Sequence, residues 1–256
     1  MWRGPVIAAK KSQSNAAKQK VFTIHAKLIA IAAAKWWDPD TNPSLYDAIE
    51  KAKKDNVPNE NIARAIKKGT GEDKTWVQID QIVYEWYGAG WVAVIVTTLT
   101  DNKNRTAPNM RHIFSKYGWN LWESGSVSFV FEKKWILAIS LENYNRDELE
   151  ELVFETSCED FFEEEGMFKI TTSLENFSEV RKFFEAKNIS LDFSDIDYIP
   201  SNTVEVDDFD KALKLTKMLE AFHEDEDVEK ISVNMNISPE LQKEVDEFIE
   251  KNTFRT

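Results

Sequence analysis

The chain has 256 residues, a formal net charge of −13 and a single cysteine, Cys158, so it is long enough for more than one core and can form no internal disulfide. It holds no run of about 18 apolar residues, which excludes a membrane-spanning helix. Its basic, polar start has no apolar stretch of the secretory type, so a reducing, cytoplasmic setting is expected.

Residues 1–20 are dotted with lysines and read as a basic arm. Val21 to Lys35 is Ala-rich, with Phe22, Ile24, Leu28, Ile29 and Ile31 at helical spacing. A loop from Asp38 to Pro43 leads to a helix that turns Leu45, Ala48, Ile49 and Ala52 to one face. After a break at Val57 to Asn59, a third helix carries Ile62, Ala65 and Ile66 and ends at Lys67-Lys68-Gly69, with Gly69 as its cap. These three helices form a bundle spanning 21–76.

The next strand, Ile79 to Tyr87, pairs across a Gly88-Ala-Gly90 turn with Trp91 to Leu99. The apolar run Trp91 to Val96 marks this second strand as central and buried. A polar turn, Thr100 to Thr106, precedes a helix with Met110, Ile113, Phe114 and Tyr117 on one side and Pro108 in its first turn. Alternation at Val127, Phe129 and Phe131 then predicts a strand, closing a βαβ-type unit.

From Trp135 the pattern restarts. A strand at Ile136–Leu141 is followed by a helix at Leu149–Val153, strands near Phe161 and at Met167–Thr172, a helix through Phe177–Phe184, and a strand ending at Pro200. That order, β-α-β-β-α-β, is a ferredoxin-like split unit. Strands at Thr203–Val206 and Val228–Val233, with the helix Ala212–Phe222 between them, lack partners of their own and are assigned to the sheet of Val92–Thr98. The last helix is Pro239–Lys251. The expected fold class is α+β: an N-terminal three-helix bundle followed by two ferredoxin-like α/β lobes, the second inserted into the first. The domains are 1–20 arm, 21–76 bundle, 77–134 plus 201–237 central, 135–200 inserted and acidic, and 238–256 C-terminal helix.

Charge follows this division. Residues 1–76 hold 14 Lys/Arg and 8 Asp/Glu, while residues 135–256 hold 12 and 32. Such segregation points to a basic face for a polyanion and an acidic remainder. Lys10, Lys11, Lys18, Lys20, Lys27, Lys51, Lys53, Lys54, Arg64, Lys67 and Lys68 are the cations that can replace counterions on a phosphate backbone. Arg105 and Arg111 lie on one side of their helix, facing either a partner or an internal ion pair.

Nine tryptophans lie between Trp2 and Trp135, while the chain has only 8 glycines. Trp36-Trp37, Trp86, Trp91, Trp119 and Trp122 occupy places where a turn wants glycine, whose positive φ costs it nothing. Two readings remain: UGA codons that the source organism decodes as glycine, or aromatic platforms for bases beside the basic segment.

Three stretches, Asn61-Ile-Ala-Arg-Ala-Ile-Lys-Lys-Gly-Thr-Gly71, Leu99-Thr-Asp-Asn-Lys-Asn-Arg-Thr106 and Arg111-His-Ile-Phe-Ser-Lys116, resemble the YebC/PmpR family. So do Asn120-Leu121 to Phe131-Glu132 and Ile199-Pro200 to Val206. The likeness covers nearly the whole chain and departs at Pro5–Lys10. It implies the same three-domain plan, and mostly glycine at Trp36, Trp37, Trp76, Trp86, Trp91, Trp119, Trp122 and Trp135. Family members are described as DNA-binding transcriptional regulators. Relatives that include a mitochondrial translational activator act at the ribosome.

No catalytic constellation stands out. His25, His112 and His223 share no metal-ligand spacing, and acids beside Cys158 discourage its thiolate. Gly69-Thr-Gly71 and Gly88-Ala-Gly90 lack the P-loop and Rossmann patterns. Glu163–Glu165 and Glu224–Asp227 read as solvated loops before they read as cation sites. The sequence therefore predicts a monomeric, non-enzymatic nucleic-acid-binding regulator of gene expression with no cofactor, no metal and no membrane partner. Its ligand is DNA or, in the alternative, ribosomal RNA on the ribosome. A protein–protein adaptor using the acidic domain is the remaining reading.

Overall fold

The structure is a computed structural model, and it describes residues 15–39, 41–73, 78–88, 91–118, 127–164 and 166–253. The arm residues 1–14, Trp76, and the 119–126 stretch with Trp119 and Trp122 lie outside the described residues. Two compact units emerge from the described chain, one formed by 128–203 and the other by the remaining described residues on either side of it.

The larger unit begins with α1 (Asn15–Lys35), α2 (Pro43–Lys54) and α3 (Asn59–Gly69). α1 starts inside the expected arm because nothing from Asn15 onward breaks an Ala-rich helix. Ile29, Ala33, Leu45, Ile49, Ala52, Ile62 and Ala65 make the bundle core. Asn42 fixes the α1–α2 corner: its side chain accepts from the Leu45 N–H and donates to the carbonyls of Ala32 and Trp36. His25 and Asp55 meet at 2.5 Å across the bundle.

Gly69 has a different use from the one expected. It closes α3 in helical conformation with Thr70 as the cap, and a Cβ there would stand 2.4 Å from the Ala30 carbonyl oxygen. The glycine permits close approach of α3 to α1. The left-handed turn falls to Gly71, at φ +75.

The sheet of this unit has the order β1-β2-β8, all antiparallel, from β1 (Asp80–Tyr87), β2 (Ala93–Thr100) and, late in the chain, β8 (Val228–Val233). Every residue of β2 is buried, the apolar run through Val96 and also Thr97, Thr98 and Thr100 beyond it. α4 (Lys103–Lys116) and α7 (Phe209–Glu224) pack Met110, Phe114, Leu215, Leu219 and Phe222 against Val94, Val96 and Val233. α8 (Pro239–Thr253) is docked, with Val245 fully buried in the same cluster.

Three expectations fail here. α4 starts at Lys103, capped by the Asn102 side chain, so Pro108 sits inside the helix. Pro108 and Asn104, the residue whose carbonyl it leaves without its i+4 donor, are both exposed. The strand near 203–206 does not join β2: β7 (Val204–Glu205) pairs in parallel with β9 (Met235–Asn236) as a separate two-stranded sheet. Trp86 lies within β1 instead of in a turn, fully buried and stacked on Phe114 at 3.6 Å between ring centres.

Of the other tryptophans, Trp36 and Trp37 are exposed and do not have positive φ. Trp91 is 79% exposed at φ +67. Trp135 stacks on Phe177.

The smaller unit runs β3 (Phe131–Ser140), α5 (Arg146–Val153), β4 (Asp160–Glu164), β5 (Met167–Thr172), α6 (Phe177–Ala186) and β6 (Phe193–Pro200). Its antiparallel sheet has the order β4-β5-β3-β6, the arrangement of a ferredoxin-like β-α-β-β-α-β fold. The strand expected at 127–131 does not exist as a separate element. Ser128–Val130 is a 3-10 turn, and Phe131 opens one continuous strand through to Ser140. The βαβ-type unit expected over 91–134 is thus divided between the two compact units. Leu137, Ile139, Phe168, Ile170, Val180 and Phe184 form the core of the smaller one.

Candidate nucleic-acid interface

The cations singled out in the sequence divide into two populations. Arg64, Lys67 and Lys68 are exposed on α3, Lys18 is exposed on α1, and Arg111 is exposed on α4. Arg64 makes an i,i+4 pair with Glu60, and Lys53 pairs with Glu50 on α2. Both pairs are solvated and hold their cations weakly. Lys51 is half-buried and Lys54 exposed on the same helix. Lys10 and Lys11 lie outside the described residues.

Lys20 and Lys27 point into the fold instead, and the exposed Arg105 reaches back to it. Lys20 Nζ donates to the His223 carbonyl at 2.6 Å. Burial lowers the Lys20 ammonium to about 8, Asp225 acting against that and Lys27 with it.

Lys27 Nζ donates to Asp227 Oδ1 at 2.8 Å and to the carbonyls of Leu99 and Glu226. Arg105 bridges Asp101 and both oxygens of Asp227. Thr106 donates to Asp227 Oδ2 at 2.8 Å. Asp227 is only 3% exposed. Burial alone would raise its carboxyl, but the hydrogen bonds from Lys27, Arg105 and Thr106, with the Lys27 charge, outweigh it and hold the group below the usual carboxylate range.

The sequence reading missed this centre. Asp227 closes an acidic run that looks solvated, and only the hydroxyl and guanidinium of the Thr100–Thr106 stretch hint at a buried acceptor. For Arg105, the internal ion pair is the alternative that holds.

α3 also lines a cleft of about 390 Å³. Asn61, Arg64, Ala65 and Lys68 recur at i, i+3, i+4 and i+7, so one stripe of the helix faces it. Phe22, Ala26, Ala30 and Ile79 supply apolar surface, and Lys27 and Asp101 lie at its side. Of the predicted cations, the fold gathers Lys27, Arg64 and Lys68 here and leaves the α2 lysines and Arg111 elsewhere.

Catalytic features are weak. Burial pushes the Cys158 thiol up, Thr156 lowers it, and Asp160 and Glu159 raise it further, so it is a poor nucleophile. Among the described residues no group of three His, Cys, Asp or Glu side chains is placed to hold a metal. No helix among them is long and apolar enough to cross a membrane.

Two family descriptions match the chain: "TACO1/YebC protein N-terminal domain" over residues 4–72 and "TACO1/YebC second and third domain" over 79–235. The chain belongs to the TACO1/YebC family. Its relatives include a "probable transcriptional regulatory protein" of Clostridioides difficile, 43% identical over 90% of this chain and 97% of that one. Another, of the same description, comes from Persephonella marina and is 40% identical over 93% and 96%. A crystal structure of a conserved hypothetical protein from Aquifex aeolicus matches with a TM-score of 0.82 and 38% identity, covering 91% of this chain and 96% of that one. The YebC/PmpR resemblance read from the motifs is therefore correct, as is the mixed α+β fold with three N-terminal helices. The family is thus one whose members are named as probable regulators.

Proposed function

We propose that the chain regulates gene expression by binding nucleic acid, without catalysis, through the exposed face of the helical bundle. The observation that carries this reading is the exposed Arg64, Lys67 and Lys68 on α3 beside an open cleft. Cations held in water exchange readily for the counterions of a phosphate chain. Names of relatives favour a transcriptional setting with DNA as ligand. The second reading, translation with ribosomal RNA as ligand, is favoured by the cleft: folded RNA is read by shape, backbone and unpaired bases.

The test is binding of the full chain to duplex DNA and to folded ribosomal RNA across a salt series. Log affinity should fall linearly with log salt, and Lys67→Ala with Lys68→Ala should reduce the slope by about 1.4–1.8. Binding that ignores salt and this variant would remove the polyanion reading and leave the adaptor reading, through the acidic domain, in its place.

A further inference from the structure

We infer that the cleft between α1 and α3 is a pocket for one unpaired nucleotide of a single-stranded or bulged RNA. The inference rests on the nucleic-acid reading above and gives it a specific point of contact. The cleft's chemistry is divided as a nucleotide's is. Half-buried Phe22, Ala26 and Ile79 are its apolar residues, with the buried Ala30 and Ala65 behind them. Phe22 packs against the bundle core and is half-buried at the cleft, so an aromatic edge as well as aliphatic surface is at hand for an unstacked base.

Hydrogen-bonding groups sit beside this surface. Asn61 is half-buried at the cleft, and its carboxamide has no partner among the described residues, so both a donor and an acceptor are available to a base edge. Arg64 and Lys68, one and two turns further along α3, supply the positive charge for the flanking phosphates.

Asp101 decides between ligands. A purely anionic ligand would be repelled by a carboxylate at the side of the cleft. A ribonucleotide brings donors, the 2′-hydroxyl and base N–H groups, that a carboxylate accepts. Asp101 Oδ1 already accepts from Arg105, while Oδ2 has no bond among the described residues. The volume, about 390 Å³, is at the small end of the range for ligand pockets, roughly 300–1,000 Å³, and is of a size for one nucleotide. The cleft is open, so a strand can continue past it. The chain's own first residues are a poor occupant, since Arg3, Lys10 and Lys11 match the sign of the rim.

The experiment compares the full chain's affinity for a perfectly paired RNA duplex and for the same duplex carrying one bulged 2-aminopurine, whose fluorescence reports stacking. The bulged RNA should bind about tenfold more tightly, within the range that stacking one base on an aromatic side chain supplies. Its fluorescence should change on binding. Asn61→Ala and Thr23→Trp, the second placing a bulky ring at an exposed cleft position, should each abolish the preference while leaving duplex binding unaltered.

Equal affinity for the two RNAs, or a preference that survives both variants, overturns the pocket and leaves the nucleic-acid reading standing. Absence of binding to either RNA and to duplex DNA overturns both. A deoxyribose bulge that binds as tightly as the ribose one overturns the assignment to RNA. A poly-glutamate peptide that displaces the bulged RNA at equal charge overturns the nucleotide assignment in favour of an acidic protein partner.

Discussion

Replacing Asp227 by Asn keeps the shape of the side chain and deletes one charge at the junction of the bundle with β2, α4 and β8. Asp227 receives Lys27 at 2.8 Å, Arg105 at 3.0 Å and Thr106 at 2.8 Å, and its side chain is 4% exposed. Lys27 is 14% exposed, so its hydrogen bond to the carboxylate contributes about 1.5–3 kcal/mol. Arg105 is 47% exposed and keeps Asp101, so its share is only about 0–1 kcal/mol. Thr106 adds about 0.5–1.5 kcal/mol. An expected loss of about 3–4 kcal/mol agrees with the roughly 3–5 kcal/mol for removing one partner of a buried pair.

Urea unfolding of the full chain at pH 7 measures it, and a double-mutant cycle with Lys27→Met isolates the pair, whose coupling should be about 1.5–3 kcal/mol. A carboxyl held below its usual range adds stability that is present above the unfolded value, near pH 4, and lost as pH falls through the lowered folded value. Asp227→Asn should therefore flatten the acid limb of the stability curve. A loss under about 0.5 kcal/mol, or a cycle additive within about 0.5 kcal/mol, would refute the idea that this carboxylate anchors the bundle.

Gly69→Ala should cost about 1–3 kcal/mol by overpacking, because its Cβ would meet the Ala30 carbonyl and Ala33 Cβ. Gly71→Ala, with open space around it and φ +75, should cost only the left-handed penalty of about 1–2 kcal/mol; thermal unfolding that ranks the two in reverse would count against the close helix contact. Trp91→Gly should stabilise by about 1 kcal/mol by relieving φ +67 at an exposed site, whereas Trp86→Gly should destabilise by about 3–5 kcal/mol by emptying the contact with Phe114. Peptide masses of the protein made in its own cells decide the decoding question directly: tryptophan found at position 91 rejects the UGA-as-glycine reading there.

Helices and strands with a clear period were legible because burial imposes the period. The apolar run of β2, the stripes of α2, α3, α4 and α7, and the β-α-β-β-α-β order of the smaller unit all follow from it. Pairing of β8 with β2 was also legible, by counting strands left without partners. What failed lacked a local signal. Val204–Glu205 and Met235–Asn236 are two residues each, too short to show alternation, and they found each other across a long separation in sequence. Trp86 was read as a turn residue from its nearness to glycine, yet the hairpin register sets it opposite Val94, in the strand. Gly69 looked like a cap by position, and only the packing of α1 on α3 reveals the contact that requires it. In the candidate interface, residue type identified the cations but not their direction. Nothing in the spacing of Lys20 or Lys27 says that they turn inward while Lys67 and Lys68 turn outward.

That inward turn changes what the charge asymmetry of the sequence means. The acid-rich region returns Asp227 to the basic bundle, so charge segregated along the chain is partly rejoined in space. Lys27 and Asp227 are sheltered from solvent, and salt screens such a pair far less than it screens exposed cations. The two electrostatic tasks of the bundle therefore separate by ionic strength. Rising salt should strip phosphate contacts from Arg64, Lys67 and Lys68 while α1 stays anchored to β8 and α4. If the bundle binds a polyanion as proposed, it can release it without leaving the central sheet, because the exposed Arg64, Lys67 and Lys68 are separate from the Lys27–Asp227 pair that holds the fold.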